Sequence, residues 1–271
     1  MADLRASYTR EPVQAARAGV GRGDLGLDQC SAAQRRFRTL LALHLFNRGL
    51  GLEPFASSGV SAFLSYTAAM SPQHDVLTVV LDSAVENVVG RLLSTPAVPH
   101  GVAGLRVVAG RYARLYHLVH VPTGARMVIT DRFPFASADA MLTGRTPSMI
   151  VRDLPGVGLP LSADETHACS VADQVPADMQ VLLSAIVARL GAGDPHDHWN
   201  WWYWGSPHMT LSGIANSWQL TWTRTPHADE LVTAMLDTRF GLSGLDVSRA
   251  ADGSAARLRL GEAELHLQYG G

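Results

Sequence analysis

The sequence predicts a mixed α/β (α+β) protein: a helix-flanked mixed sheet, then a small C-terminal β-α-β-β module. Three observations predict it. Val76 to Leu81 is a continuous β-branched run of interior-strand length followed by an amphipathic helical pattern; two strand-like segments flank the turn Pro122-Thr123-Gly124-Ala125; and Trp218 to Thr223 alternates as a strand before a helix and a second hairpin. At 271 residues, 47 % hydrophobic and 17 % charged, the chain carries enough apolar side chain to bury a core, which excludes disorder as its overall state.

Residues 1–28 lack periodicity, hold several glycines and read as a flexible N-terminal arm. Ser31 is a fitting N-cap for a helix whose apolar positions include Phe37, Leu40, Leu41, His44 and Leu45, and Asn47 and Gly49 stop it. Val60, Ala62, Phe63 and Leu64 read as a second, buried helix ending before Pro72. After the Val76 strand, Ser83 to Leu93 forms an amphipathic helix capped by Asp82 or Ser83. The hairpin strands run over Arg111 to Val121 and Arg126 to Asp131. Ser137 to Leu142 suits a short helix, Gly156-Val157-Gly158 a turn, and Ser162 to Leu190 two helices parted near Pro176.

All six tryptophans fall between Trp199 and Trp222, which divides the chain into a first domain over 29–193 and a Trp-rich junction with a small module over 194–271. In that module Thr225 and Pro226 open a helix that Gly241 closes, and Ala256 to Leu260 pairs with Ala263 to Gln268 around Gly261. Being small, the module should dock on the first domain. No internal repeat is evident in the sequence.

The 22 basic side chains are all arginine. Without a lysine amine, Schiff-base catalysis, a Walker P-loop and a kinase ATP pair are excluded. A net charge of −2 leaves no excess to neutralise a phosphate backbone, so general nucleic-acid binding is not expected. Cys30 and Cys169 form no CxxC pair, which points away from a disulfide framework. With no apolar leader and no run of 18 apolar residues, the expectation is a cytoplasmic protein with no membrane partner.

The succession of helix, Ser58-Gly59, His74-Asp75, strand, Asp82-Ser83, helix, hairpin and Thr130-Asp131 resembles the nucleotidyltransferase fold of the polymerase-β type, in its antitoxin-system and antibiotic-modifying branches, over roughly residues 31 to 190. The resemblance implies a Gly-Ser phosphate turn, here Ser58 and Gly59, and a carboxylate set that would hold Mg²⁺, of which Asp75 is the first member. Leu77 stands in place of the second, and Met127 to Ile129 in place of the third. Apolar side chains cannot bind a hard cation, so two-metal transfer looks disabled and no cofactor is expected, Mg²⁺ entering only if the enzyme is active.

Two further groups carry chemistry. If the hairpin turn sets His120 near Met127, Tyr116 comes near Asp131, and a cleft holding Asp75, Tyr116, His120 and Asp131 could run metal-free acid–base chemistry; alternatively, Tyr116 to His120 is an ordinary half-exposed strand. The segment from His196 to His208 offers His196, His198 and His208 as metal ligands, and Trp201, Trp202 and Trp204 as an aromatic wall for a small molecule. It reads equally as an aromatic slab between the domains. Three functions follow: a metal-independent small-molecule enzyme on a repurposed scaffold, a non-catalytic binding or antitoxin-like protein with a protein partner, or an active nucleotidyltransferase.

Overall fold

The computed structural model describes residues 1–21, 25–47, 55, 66–81, 85–93, 101–108, 115–131, 154–190, 209–223, 227–238 and 240–270. Two helices, α1 (Ala2–Thr9) and α2 (Val13–Gly19), form the arm, so the aperiodic N-terminus is helical and docked. Its glycines sit at and beyond the end of α2, which is why they mask the helices in the sequence.

Helix α3 (Ala32–Leu45) starts as expected, with the Ser31 side chain accepting from the Gln34 amide at 3.3 Å. Val60, Ala62, Phe63 and Leu64, expected to form a buried helix, lie outside the described residues; the stretch between them and Pro72 holds strand β1 (Thr67–Pro72), which turns back antiparallel on β2 (Val76–Leu81). The short turn at 73–75 makes a hairpin, and both strands are buried along nearly their whole length. A strand covered on both faces shows no alternation, the feature that would have told it from a helix.

Helix α4 (Val85–Leu92) leads to β3 (Leu105–Val107), β4 (Leu115–His120) and β5 (Ala125–Thr130). The first sheet has the order β1-β2-β5-β4-β3, with β2 and β5 parallel. Helices α5 (Ala163–Asp173) and α6 (Ala177–Arg189) follow; a capping box between Ser162 and Glu165 opens α5.

The second sheet is built from β6 (Met209–Ile214), β7 (Ser217–Thr223), helix α7 (Ala228–Leu236), β8 (Asp246–Arg249), β9 (Ala255–Leu260) and β10 (Ala263–Gly270). The expected β-α-β-β module is therefore larger by β6 and β8, a β-β-α-β-β-β unit. Its order is β6-β7-β10-β9-β8, with β7 and β10 parallel, the topology of the first sheet repeated. Ala32 and Ala177, Thr67 and Met209, Val76 and Ser217, Val85 and Ala228, Leu105 and Asp246, Leu115 and Ala255, and Ala125 and Ala263 open equivalent elements, at a near-constant offset along the chain. Apart from α1, α2 and α5, the described elements thus form two copies of one α-β-β-α-β-β-β plan.

The copies meet through their leading helices. α3 packs on α6, α3 also touching β5 and α6 touching β10, and residues of both sheets share one continuous apolar core. Leu77, Val79, Leu258 and Leu265 are fully buried in it, each contributing about 1.5–3 kcal/mol. At the end of each leading helix a side chain reaches the loop ahead of the unit's third strand. His44 Nε2 accepts from the Ala103 amide at 3.3 Å, and the Arg189 guanidinium donates to the Phe240 carbonyl at 2.5 and 3.0 Å.

Candidate functional site

Asp75 lies in the β1–β2 turn. The Ser31 amide donates to the His74 carbonyl at 2.9 Å, and Gln34 Nε2 donates to the Asp75 carbonyl at 3.0 Å, so the first turn of α3 holds the hairpin tip. Its exposed carboxylate meets the exposed His74 ring at 3.0 Å; the hydrogen bond from His74 holds it below the usual carboxylate range, with Ser31 adding to the effect.

The parallel register pairs Val76 with Arg126 and Val80 with Thr130, which sets Asp75 level with Ala125 and Asp131 level with Leu81. Six residues of strand separate the two, about 20 Å. The acid–base cleft expected around Asp75, Tyr116, His120 and Asp131 is therefore not formed. The β4–β5 register pairs His120 with Ala125 and Tyr116 with Ile129, two residues away from the expected pairing, because the turn spans only residues 121–124. Tyr116 is buried in the core beside Leu118. Leu77 and Met127, where the resemblance expects carboxylates, are core residues with no exposure.

His120 does have polar company, which the sequence did not join to it. Its Nδ1 lies 2.8 Å from Thr123 Oγ1 and its Nε2 lies 3.7 Å from Cys169 Sγ. One turn before Cys169 on α5, Glu165 takes a two-pronged ion pair from Arg106 of β3, both contacts at 2.7 Å, and accepts from the Gly104 amide at 3.0 Å. The four-residue spacing of Glu165 and Cys169 on a capped helix was the available signal.

This cluster is chemically quiet at neutral pH. Burial pushes His120 down to about 4, with Arg106 adding to the effect, and burial pushes His44 down to about 3. The Cys169 thiol is pushed up to about 11, by burial first and then by Asp173 and Glu165. A neutral ring of low basicity beside an un-ionised thiol is neither an activated nucleophile nor a base tuned to pH 7. Arg106–Glu165 instead fastens β3 to α5.

Ser58, Gly59, Trp201, Trp202, Trp204, His196, His198 and His208 lie outside the described residues. Among the described residues no three His, Cys, Asp or Glu side chains gather so as to hold a metal ion. No helix among them is long and apolar enough to cross a membrane. Cys30 and Cys169 are both free.

The outer faces of the two sheets differ sharply. On the first, Ala69, Ser71, Thr78, Val80, Arg106, Leu115 and Thr130 are buried, Val76, His117, Val119 and Val128 are half-buried, and Arg126 is exposed. On the second, Gln219, Ser248, Arg257, Arg259 and Gln268 are exposed, while Glu264 and His266 are half-buried. Cross-strand neighbours run Asp246, Arg259, Glu264 in one row and Ser248, Arg257, His266, Gln219 in the next. His266 pairs with Glu264 at 2.5 Å, and Arg257 lies 3.5 Å from the same carboxylate. A concavity of about 540 Å³ lies over this face.

No family model, curated protein or solved structure matches this chain.

Proposed function

We propose that the chain is a non-catalytic binding protein whose ligand is another protein, recognised on the outer face of the second sheet. One observation carries this reading: two units of identical topology differ on their outer faces, the first largely buried, the second open and polar, with Asp246, Arg259 and Glu264 in a row of alternating charge. Fold stability asks only that one face of such a sheet be apolar. A face that mixes arginine, carboxylate, imidazole and paired glutamine amides suits the polar rim of a non-obligate interface, where arginine is enriched. Gln219 Nε2 donates to Gln268 Oε1 at 2.7 Å, which fixes two amides side by side on that face. The wide separation of Asp75 from Asp131 supports the same reading, since a binding protein needs no converging carboxylates.

The test is purification from the native host of the natural chain beside Arg257→Glu combined with Arg259→Glu. A stoichiometric protein that co-elutes with the first and is lost from the second supports the proposal. A protein retained equally by both, or none on either, refutes it, as would turnover of a nucleotide by the purified chain.

A further inference from the structure

Helices α1 and α2 dock apart from the main core. Their apolar contacts form a satellite cluster of Tyr8, Leu25 and Leu27, with Leu4 and Phe240 at its margin, and Tyr8 stacks on Phe240 at 3.6 Å between ring centres. The rest of the attachment is polar. Arg5, with no exposed surface, donates Nε to Glu11 at 2.5 Å, Nη1 to the carbonyls of Gly19 and Leu25 at 2.9 and 2.5 Å, and Nη2 to the Pro72 carbonyl at 2.5 Å. Glu11 also accepts from Thr9 and from Ser71. Pro72 and Ser71 belong to β1, the edge strand of the first sheet.

A buried ion pair is a poor source of net stability, because desolvation offsets most of its attraction, yet removing one partner alone is strongly destabilising. It therefore makes attachment all-or-none. The geometry also needs Gly19: a Cβ there would fall 2.2 Å from the Arg5 guanidinium carbon. Few apolar contacts and one indispensable polar knot describe a segment that opens below the free energy of global unfolding.

We propose that the N-terminal arm is a releasable strap over the edge of the first sheet, and that its departure uncovers β1 as an edge able to accept an added strand. The other three edges are each occupied within the chain or end in exposed side chains. β3 is bridged by Gly156, β6 receives both amide bonds of Asn47 at Leu211, and β8 is short with Asp246 and Arg249 exposed. An uncovered strand edge is a template for pairing with another chain. The strap stands apart from the binding reading above, which places the partner on the second sheet.

Native-state hydrogen exchange on the full chain tests the strap without any partner, so its failure and the failure of the binding reading are separable. In Glu11→Gln, and independently in Gly19→Ala, which keeps both charges, amides of residues 2–19 and the arm-facing amides of β1 should exchange at least tenfold faster. Amides of α3, β2 and β5 should keep their natural protection. Acceleration spread evenly over α3, β2 and β5, or no acceleration in the arm in either variant, would overturn the proposal.

Discussion

The two units are built to one plan and held by different chemistry. The first buries arginine, glutamate and histidine beside its sheet, in the Arg106–Glu165 pair and the His44 and His120 rings. Core-facing strand positions are apolar in both units, Leu77, Val79, Leu118, Met127 and Ile129 in the first and Trp218, Leu220, Leu258, Leu265 and Leu267 in the second; the second buries Arg189 at the end of α6, while the polar groups of its sheet face outward. The comparison teaches that topology leaves open which face and which side-chain chemistry carries the load. Divergence between equivalent positions then marks where each copy has specialised.

The largest expected effect is at the third strand, where the register sets Arg106 beside Val119 and, at the equivalent place of the second sheet, Asp246 beside Arg259. Arg106→Leu leaves Glu165 facing the interior without its cation and should cost about 3–5 kcal/mol. Asp246→Leu, at the exposed equivalent site, should change stability by no more than about 0.5 kcal/mol. Urea midpoints at pH 7 check the ordering, and equal losses would erase the contrast between the units.

Next comes acid. The unfolded chain protonates His44 and His120 near pH 6.5, whereas the folded chain refuses those protons until about pH 3 and 4. Stability that is full above pH 6.5 should therefore fall as pH falls, by about 1.4 kcal/mol per pH unit for each ring, and level off below the folded values. Among the described residues the second unit buries no histidine. His120→Asn should flatten the decline, measured as melting temperature between pH 7 and 4.5; an unchanged slope would contradict the burial of this ring.

How much of this the sequence held follows from the same contrast. Residues whose neighbours are local were legible: Ser31 as N-cap, the helices parted at Pro176, the β4–β5 turn, and both strands of the final hairpin. What depends on partners far along the chain was not. β1 hides in a run buried on both faces, β6 alternates only over the four residues Met209 to Ser212 beside the tryptophan segment, and the Arg5 and Arg106 contacts span up to 67 residues. The repeated topology shows no repeat in the sequence because most equivalent interior positions share apolar character and not residue type, Leu118 and Leu258 being an exception. Asp75 looked catalytic because a turn and an active-site strand end use the same residue types.

A smaller effect joins the units. Asn47, buried at the end of α3, donates to the Leu211 carbonyl and accepts from its amide, both at 3.1 Å, so that an amide side chain stands in for a neighbouring strand at the β6 edge. Asn47→Ala should cost about 2 kcal/mol by leaving Leu211 unpaired. A single unfolding transition should persist, since the core is shared. Separate transitions in calorimetry would mean that the units fold independently.

The smallest effect is of opposite sign. Ala215, in the two-residue turn between β6 and β7, has φ 49°, where a type II′ turn prefers glycine. Ala215→Gly should stabilise by about 1 kcal/mol, a gain that the β1–β2 turn of the first unit, with no residue at positive φ, does not offer.

The central claim, that the second outer face and not the first receives the partner, is tested most directly by a photoreactive phenylalanine placed at His266 or, separately, at its first-unit equivalent Val128. The account predicts a partner adduct on irradiation from position 266 and none from 128. An adduct from 128, or from neither position while the complex is intact, would contradict it.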